Sequence, residues 1–203
     1  MSETGSPKSA IVFTIGHSKH PLQGFLDLLN RHQIEVLMDI RSSPYSEFAS
    51  QFNSKSLKVS VEATGIQYLF FGRELGGRPE QPEFYDGDGH VLYGRVAESP
   101  LFRSGIAQLL RDIPNQRIAL LCSEENPANC HRRLLVGKVL AERGICVHHI
   151  RGDGRIQSEE ELLRDEQSKD SPQPSLFEFE RVPEWRSTQS VLPKRQRSSF
   201  SER

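Results

Sequence analysis

Short apolar runs alternate with amphipathic segments over residues 10–167, a pattern that predicts strands alternating with helices. Between the runs, apolar residues recur at helical spacing, as Leu22, Phe25 and Leu29 do after the first run. Ser99 with Pro100 has the spacing of a helix N-cap. Five runs rich in β-branched and aromatic side chains are expected to be buried strands, at residues 10–15, 34–40, 66–71, 117–121 and 145–150.

Strands that alternate with helices favour parallel pairing, because each crossover returns the chain to the same edge of the sheet. We therefore predict an α/β fold, a Rossmann-like three-layer sandwich with a mainly parallel sheet of about five strands. Residues 10–167 are expected to form the domain, after a flexible N-terminus at residues 1–9. Residues 168–203 are expected to be largely disordered or loosely docked, with Leu176, Phe177, Phe179 and Trp185 as the side chains that could dock.

The segment from Gly72 to Gly94 interrupts the alternation, because it is rich in glycine and proline and has no clear period. A structureless stretch of this length inside a compact domain is often a lid or a binding loop. Within it, Gly76 and Gly77 could cradle an anion with their backbone amides, although a glycine pair alone is weak evidence.

Polar clusters follow three of the predicted strands directly, at Gly16-His17-Ser18, Asp39-Ile40-Arg41-Ser42 and Cys122-Ser123-Glu124. Parallel strands end at one edge of the sheet, and open α/β sheets bind their ligands outside that edge. We therefore expect one shared ligand site, although polar turns at strand ends would produce part of the pattern by themselves.

The polar residues of these clusters allow both functional and structural interpretations. Arg41 with Ser42 would suit a phosphate or carboxylate, whereas Asp39 with Arg41 would suit a structural ion pair nearly as well. His17 is a candidate general acid or base, or a cap of the following helix. Glu124 is a candidate base, or a partner that orients Arg132.

Two cysteines form the pattern Cys122-x7-Cys130-His131-Arg132. Cys130 is predicted in the first turns of a helix that begins at Asn126-Pro127, and a helix N-terminus lowers the pKa of a thiol and attracts anions. Cys122 and Cys130 are therefore candidate nucleophiles. Zinc would lack an obvious fourth ligand, a redox disulfide lacks the usual spacing, and two small buried hydrophobes are the plainest alternative. No metal ligand is assigned. Cys146 is expected in the core.

Composition narrows the function mainly by exclusion. The chain has 26 Lys and Arg against 27 Asp and Glu, and this balance argues against binding nucleic acid through bulk charge alone. No apolar run reaches the ~18 residues of a membrane helix, so no membrane partner is expected. A polar N-terminus and three cysteines, too few for a secreted disulfide framework, favour a reduced, cytoplasmic protein.

Taken in order, these motifs resemble an uncharacterised family, the domain of unknown function 488, between about Ile11 and Ile150. The resemblance implies an α/β fold, implies no agreed activity, and adds Ser46 to the candidate ligand-binding residues. The motifs that carry it are Thr14-Ile15-Gly16-His17-Ser18, Asp39-Ile40-Arg41-Ser42 with Pro44 and Ser46, Leu75-Gly76-Gly77, and Cys122-x-Glu124 with Cys130-His131-Arg132.

The leading hypothesis is an enzyme that acts on a small anionic, nucleotide-like ligand. The candidate catalytic residues are His17, Glu124, Cys122 and Cys130. The candidate ligand-binding residues are Gly16, Asp39, Arg41, Ser42, Ser46, Gly76, Gly77, His131 and Arg132. Two alternatives stay open, a nucleic-acid-associated protein that binds or modifies a base, and a non-catalytic thiol or metal sensor. The sequence identifies neither a cofactor nor an oligomeric state.

Overall fold

The computed structural model describes residues 10–168 and 184–191. The strands of its sheet are β1 Ile11–Gly16, β2 Val36–Asp39, β3 Gln67–Phe70, β4 Ile118–Cys122, β5 Cys146–Ile150 and β6 Ile156–Ser158. Across the sheet they follow the order β3-β2-β4-β1-β5-β6. The first five strands are parallel, and β6 is antiparallel to β5. The predicted α/β class with a mainly parallel sheet is confirmed.

The sixth strand was not predicted from the apolar pattern. Ile156–Ser158 has three residues and one apolar side chain, too short a segment for an alternating pattern to show. A turn pairs it with β5, and in that turn Arg151 N donates to Arg155 O at 2.9 Å. The strand order also differs from the 3-2-1-4-5-6 order of dinucleotide-binding folds, so the Rossmann-like part of the prediction is not confirmed.

Helices connect the parallel strands, and one further helix follows β6. They are α1 Leu22–Arg31, α2 Ser54–Glu62, α3 Gly72–Leu75, α4 Tyr93–Glu98, α5 Pro100–Asp112, α6 Lys138–Ala141 and α7 Glu159–Gln167. A π-helical segment, Arg132–Gly137, runs directly into α6. The predicted cap of α5 is present, because the Ser99 hydroxyl accepts a hydrogen bond from the backbone N–H of Phe102. No helix in the described part of the chain is long and apolar enough to cross a bilayer.

Helices cover both faces of the sheet, so the core consists of two apolar layers. Val12 and Phe13, neighbours on β1, point to opposite faces, as successive side chains of a strand do. One layer contains Phe25 and Leu29 of α1 and Leu57 of α2. The other contains Phe102, Ile106 and Leu109 of α5 and Val139 and Leu140 of α6. Each large apolar side chain that is fully buried contributes about 1.5–3 kcal/mol.

The chain reverses its direction across the sheet between β1 and β4. From β1 it continues through α1 to β2 and β3 on one side, and from β4 it continues through α6 to β5 on the other. The connections that follow β1 and β4 leave in opposite directions. Because these two strands are neighbours, the divergence opens a crevice at the carboxyl edge. Open α/β sheets bind ligands at such a position.

Residues 184–191 lie against the domain. The indole Nε1 of Trp185 donates to Leu134 O at 2.8 Å, and the ammonium group of Lys138 lies 4.7 Å from the centre of a Trp185 ring. Trp185 is therefore docked on the domain. The predicted flexible residues 1–9 and the other candidate docking residues, Leu176, Phe177 and Phe179, lie outside the described residues.

Two local predictions are wrong. The side chain of Cys146 is exposed instead of lying in the core, because Cys146 opens β5 and burial begins only at Val147. The segment from Gly72 to Gly94 is also less irregular than predicted. It contains α3, a short 3₁₀ turn at Pro82–Phe84 and the start of α4.

Candidate functional site

The three polar clusters lie side by side at the carboxyl ends of β2, β4 and β1. Gly16 is paired with Cys122, and Asp39 is paired with Leu121. Just beyond the strands, His17 N donates to Cys122 O at 3.1 Å, and Ile40 N donates to Leu121 O at the same distance. Residues far apart in sequence therefore meet at the carboxyl ends of these three neighbouring strands.

A cavity of about 410 Å³ opens at this edge. Six of the predicted site residues line it, namely Arg41, Gly77, Cys122, Glu124, Cys130 and His131. The rest of its wall is mostly polar and consists of Ser43, Arg78, Tyr93, Ser123, Asn126, Asn129, Ser187, Gln189, Ser190 and Val191. A ligand in this cavity would therefore meet mainly hydrogen-bonding groups.

Cys122, Cys130 and His131 form a compact cluster in the wall of this cavity. His131 Nδ1 lies 3.7 Å from the sulfur of Cys122 and 3.9 Å from the sulfur of Cys130. His131 Nε2 lies 3.1 Å from Ile40 O. A carbonyl oxygen only accepts hydrogen bonds, so Nε2 carries a proton, and Nδ1 is the ring nitrogen that faces the two sulfurs.

The two thiols differ in pKa because they share a hydrogen bond. The hydrogen bond from Cys130 lowers the pKa of Cys122 well below its ordinary value, and nearby His131 and Arg132 lower it further against the effect of burial. The same hydrogen bond, together with burial, raises the pKa of Cys130 well above its ordinary value. Cys122 is therefore the thiol of the pair that ionises more readily, and a thiolate is the nucleophilic form of cysteine.

The backbone at Cys130 is not helical, contrary to the sequence prediction. Pro127–Asn129 form a 3₁₀ turn, Cys130 is extended with φ −104° and ψ 140°, and helical backbone begins at His131. Cys130 O accepts hydrogen bonds from Arg133 N and Leu134 N at 3.0 and 2.9 Å, so Cys130 directly precedes the helix. The segment that follows is π-helical, an uncommon geometry found frequently at functional sites.

Arg132 is fully buried, and its guanidinium binds backbone oxygens instead of lining the cavity. It donates to the carbonyls of Glu124 and Glu125, the second at 2.6 Å, so it fixes the loop that follows β4. Within the described residues no carboxylate pairs with Arg132, and its Nε has no partner. A buried charge needs compensation, and Arg132 lowers the pKa of nearby Cys122, whose ionised form would supply a negative charge.

Asp39 and Arg41 form the structural ion pair that the sequence left open as an alternative. Arg41 donates from Nε to Oδ1 of Asp39 at 2.8 Å and from a terminal nitrogen to Oδ2 at 2.6 Å. The Tyr68 hydroxyl donates to the same Oδ2 at 2.6 Å. Burial and the adjacent Asp39 carboxylate raise the pKa of Tyr68, so this hydroxyl keeps its proton. Arg41 reaches the cavity wall with two of its N–H groups already bound.

His17 lies on the α1–α2 side of the sheet and is absent from the cavity lining. Its ring stacks on Phe52 with 4.4 Å between ring centres, and Nδ1 donates to Ser18 O at 3.0 Å. Burial lowers the pKa of His17, and the charge of Arg41 lowers it further, so the ring is neutral. In this position His17 supports the loop after β1.

The predicted glycines allow close packing behind the cavity. A β-carbon on Gly16 would clash with Glu124 O, and one on Gly76 would clash with the Ser42 hydroxyl. That hydroxyl accepts a hydrogen bond from Arg78 N at 2.8 Å, which ties the glycine loop to the end of β2. Ser46 lies outside the cavity lining, and its hydroxyl accepts a hydrogen bond from Phe48 N at 3.2 Å.

Residues 21–139 match the family model described as Domain of unknown function DUF488, which covers more than half of the chain. This chain belongs to that family. The resemblance read from the motifs is therefore confirmed. No curated protein and no solved structure matches the chain. The DUF488 match includes Asp39, Cys122 and Cys130, whereas His17 precedes it and residues 184–191 follow it.

Sequence reasoning missed two parts of the DUF488 cavity. Arg78 is exposed in its lining, and no ion pair is formed by its side chain among the described residues. The signal for Arg78 was its position directly after Gly77. Residues 187–191 supply one end of the wall, and nothing in their sequence indicates this, because it depends on where the chain folds back.

Two other features lie apart from the DUF488 site. A depression of about 950 Å³ beside β5 and α6 is mainly apolar and contains none of the predicted site residues. Asp86, Asp88 and His90 bring possible metal-binding atoms within 4.8 Å of one another. However, Asp86 already pairs with Arg186 and accepts hydrogen bonds from the backbone of Asp88 and His90. The cavity beside Cys122 is the better candidate site.

Proposed function

We propose that this protein is a thiol-dependent enzyme that acts on a small ligand carrying an anionic group. The observation that supports it best is the position of Cys122, Cys130 and His131 together in the wall of the 410 Å³ cavity. Thiolate nucleophiles are activated by hydrogen-bond donors and positive charge, and Cys122 has both. The cavity volume falls within the range of small-molecule sites, about 300–1,000 Å³.

In the proposed reaction the sulfur of Cys122 attacks an electrophilic centre of the bound ligand. A sulfur lone pair forms the new bond, and the leaving group departs with the electrons of the bond that breaks. The Cys130 thiol stabilises the thiolate before attack, and His131, fixed by Ile40 O, holds the two sulfurs in place. Glu124 lines the cavity and is the candidate for proton transfer.

Arg78 is the proposed anion-binding residue. Arg41 and Arg132, the arginines singled out in the sequence, already bind Asp39 and backbone carbonyls. Arg78 lines the cavity with an exposed guanidinium, and Asn126 and Asn129 add amide groups to the same wall. A guanidinium with neighbouring amides suits a phosphate or carboxylate.

Alkylation of the full chain tests this proposal. Iodoacetamide is added at neutral pH, with or without inorganic phosphate or adenosine monophosphate, and modified cysteines are located by tandem mass spectrometry. We expect Cys122 to react faster than Cys130, and a bound anion to protect it. Arg78→Gln should remove the protection, and Arg103→Gln, an exposed arginine of α5, should retain it. Equal rates at the two cysteines, with no protection by either anion, would refute the proposal.

A metal centre is the second candidate function, and one geometric observation favours it. The sulfurs of Cys122 and Cys130 and the Nδ1 of His131 lie within 4.8 Å of one another, and the other ring nitrogen of His131 is held by a carbonyl. Such a set suits zinc with one open position. Charge balance favours the thiolate enzyme instead, because one thiolate offsets buried Arg132, whereas Zn²⁺ with two thiolates leaves Arg132 unbalanced.

Native mass spectrometry of the full chain, purified without added metal, separates the two candidates. The thiolate enzyme predicts the mass of the bare reduced chain. A zinc adduct that is lost in Cys130→Ser and retained in Cys146→Ser would instead establish the metal centre, because Cys146 lies at the opposite edge of the sheet.

A further inference from the structure

We propose that residues 184–191, here called the C-terminal strap, form a wall of the ligand site, and that the Ser190 hydroxyl contacts the ligand. The proposal rests on the proposed function in one respect, namely that the cavity beside Cys122 is the ligand site. It adds a segment that lies well beyond the residues matched by the DUF488 family.

The strap shares the cavity with the thiol cluster. Its residues in the lining are Ser187, Gln189, Ser190 and Val191, and the same cavity is lined by Cys122 and Cys130. A ligand that reaches the Cys122 sulfur through this cavity therefore passes or contacts the strap.

Hydrogen bonds hold the strap along residues 89–94. Ser187 N donates to Val91 O, and Val91 N donates to the Ser187 hydroxyl, both at 2.9 Å. Val191 N donates to Gly89 O at 3.0 Å, which fixes the far end of the strap. Gly94 N donates to Trp185 O at 3.2 Å, which fixes its beginning.

The loop beneath the strap is itself ordered by Asp86. One oxygen of the Asp86 carboxylate accepts hydrogen bonds from Asp88 N and His90 N, and the other pairs with Arg186 of the strap. Asp86 therefore links the loop and the strap directly. The glycine-rich segment that the sequence marked as a possible binding loop thus acts, at its end, as the surface on which the strap docks.

Ser190 is the strap residue whose chemistry points to a ligand. Its hydroxyl oxygen is buried and has no hydrogen-bond partner among the described residues, although Ser190 lines the cavity. A buried polar group without a partner is uncommon and costly, and a polar ligand atom would satisfy it once the Ser190 side chain rotates toward the cavity that Ser190 lines. Thr188, two residues earlier, is exposed and does not line the cavity, so the strap presents one side to the ligand.

The strap also narrows the class of ligand. Ser190 and Gln189 add a hydroxyl and an amide to a wall that already contains Arg78. This combination fits an anionic ligand that carries further hydroxyl or carbonyl groups, more than it fits an apolar electrophile. Because the strap lies outside the matched region, the choice of ligand in this chain is set partly by residues that the family model does not cover.

The test compares two full-length variants that carry the same new side chain on the strap. Ser190→Phe would place a ring in the cavity, and Thr188→Phe would place it in solvent. We expect Ser190→Phe to slow alkylation of Cys122 by iodoacetamide at least ~10-fold, since thiol reactivity depends on access, and Thr188→Phe to leave it unchanged. Equal rates in the two variants would overturn the proposal.

A third variant covers the case in which phenylalanine dislodges the strap. Ser187→Ala removes the hydroxyl that binds Val91 N and should speed alkylation of Cys122 by loosening the strap. The fluorescence of Trp185, the one tryptophan of the chain, reports whether the strap is docked. If Ser190→Phe releases the strap, the emission of Trp185 and the alkylation rate should both shift toward those of Ser187→Ala. That result would also support the strap as a wall of the cavity. An undocked strap with an unchanged rate of Cys122 alkylation would refute the proposal that the strap forms a wall of the cavity.

Repeating the comparison above the ordinary thiol pKa of about 8.5 separates this proposal from the proposed function, because any accessible thiol ionises there. A strap effect seen only at alkaline pH, with slow alkylation at neutral pH, would refute the Cys122 thiolate and support the strap. Fast alkylation at neutral pH that neither strap variant alters would refute the strap alone.

Discussion

The α-carbon of Gly77 lies against the imidazole ring of His131, and a β-carbon at position 77 would come within 2.5 Å of Cγ of that ring. The ring is held on another side by Ile40 O, 3.1 Å from Nε2. The segments of Gly77 and Ile40 thus fix the direction in which His131 Nδ1 faces Cys122 and Cys130. Of the glycine pair that suggested an anion cradle, Gly77 makes room for the histidine of the thiol cluster, and Gly76 packs against Ser42.

Gly77→Ala should therefore disturb the site more than a glycine replacement usually does. The added methyl group must displace His131, which should cost about 1–3 kcal/mol of stability and slow alkylation of Cys122. Gly87→Ala is the matched control, because no atom lies within 4 Å of a β-carbon built there. Thermal unfolding and the alkylation rate would be measured on both variants. Identical behaviour of the two would contradict the packing argument.

Asp39→Asn should be strongly destabilising. The substitution leaves Arg41 buried without its counter-charge, which typically costs about 3–5 kcal/mol. Asp27→Asn is the control, because Asp27 is exposed on α1 and accepts a hydrogen bond only from Gln23 within the described residues. Urea denaturation would give both free energies of unfolding. A loss at Asp39 no larger than the loss at Asp27 would show that the ion pair is dispensable.

Arg132→Gln should change both stability and thiol chemistry. The Glu124 and Glu125 carbonyls would lose their donors, and each buried acceptor left without a partner costs about 1–3 kcal/mol. The pKa of Cys122 should also rise, since Arg132 is one of the groups that lower it. The pH dependence of Cys122 alkylation measures this shift, with Arg103→Gln as the control. A destabilised variant with an unchanged pH dependence would mean that Arg132 acts only on the loop.

The free energy of unfolding should decrease as the pH is lowered from neutral to mildly acidic values, partly because of His17. Burial lowers the pKa of His17, so the unfolded chain binds a proton there more readily than the folded chain. This contribution to stability is complete above the unfolded pKa of about 6.5 and is lost as the pH falls through the lower folded value. His17→Gln should flatten the decline measured by urea denaturation between neutral and mildly acidic pH. His20→Gln serves as the control, and a decline unchanged by His17→Gln would exclude this origin.

The sequence pattern predicts the frame of the fold well, because apolar period and capping are local signals. Ser99 caps α5 as its spacing with Pro100 predicts, and the five parallel strands occur where the apolar runs lie. β6 was missed because a three-residue edge strand is held by its partner, not by its own pattern. The exposure of Cys146 was missed because Cys146 opens β5, and burial begins only at Val147.

The candidate site could be predicted as a neighbourhood but not as a set of roles. Parallel strands bring Asp39 and Cys122 to one edge whatever the strand order, but they are close because β2 and β4 are neighbours, which the sequence does not show. Which face His17 occupies depends on its packing against Phe52, and which acceptors Arg132 binds depends on the π-helical backbone. These are tertiary features with no local sequence signal.

The pH dependence of Cys122 alkylation in the full chain tests the central claim most directly. Iodoacetamide reacts with thiolates, and exposed Cys146, at the opposite edge of the sheet, shows in the same sample that the reagent is active. The ordinary pKa of a cysteine thiol is about 8.5. The account predicts that the rate at Cys122 reaches half its maximum at a pH well below that value. A midpoint at or above that value, equal to the midpoint for Cys122 in the urea-unfolded chain, would contradict it.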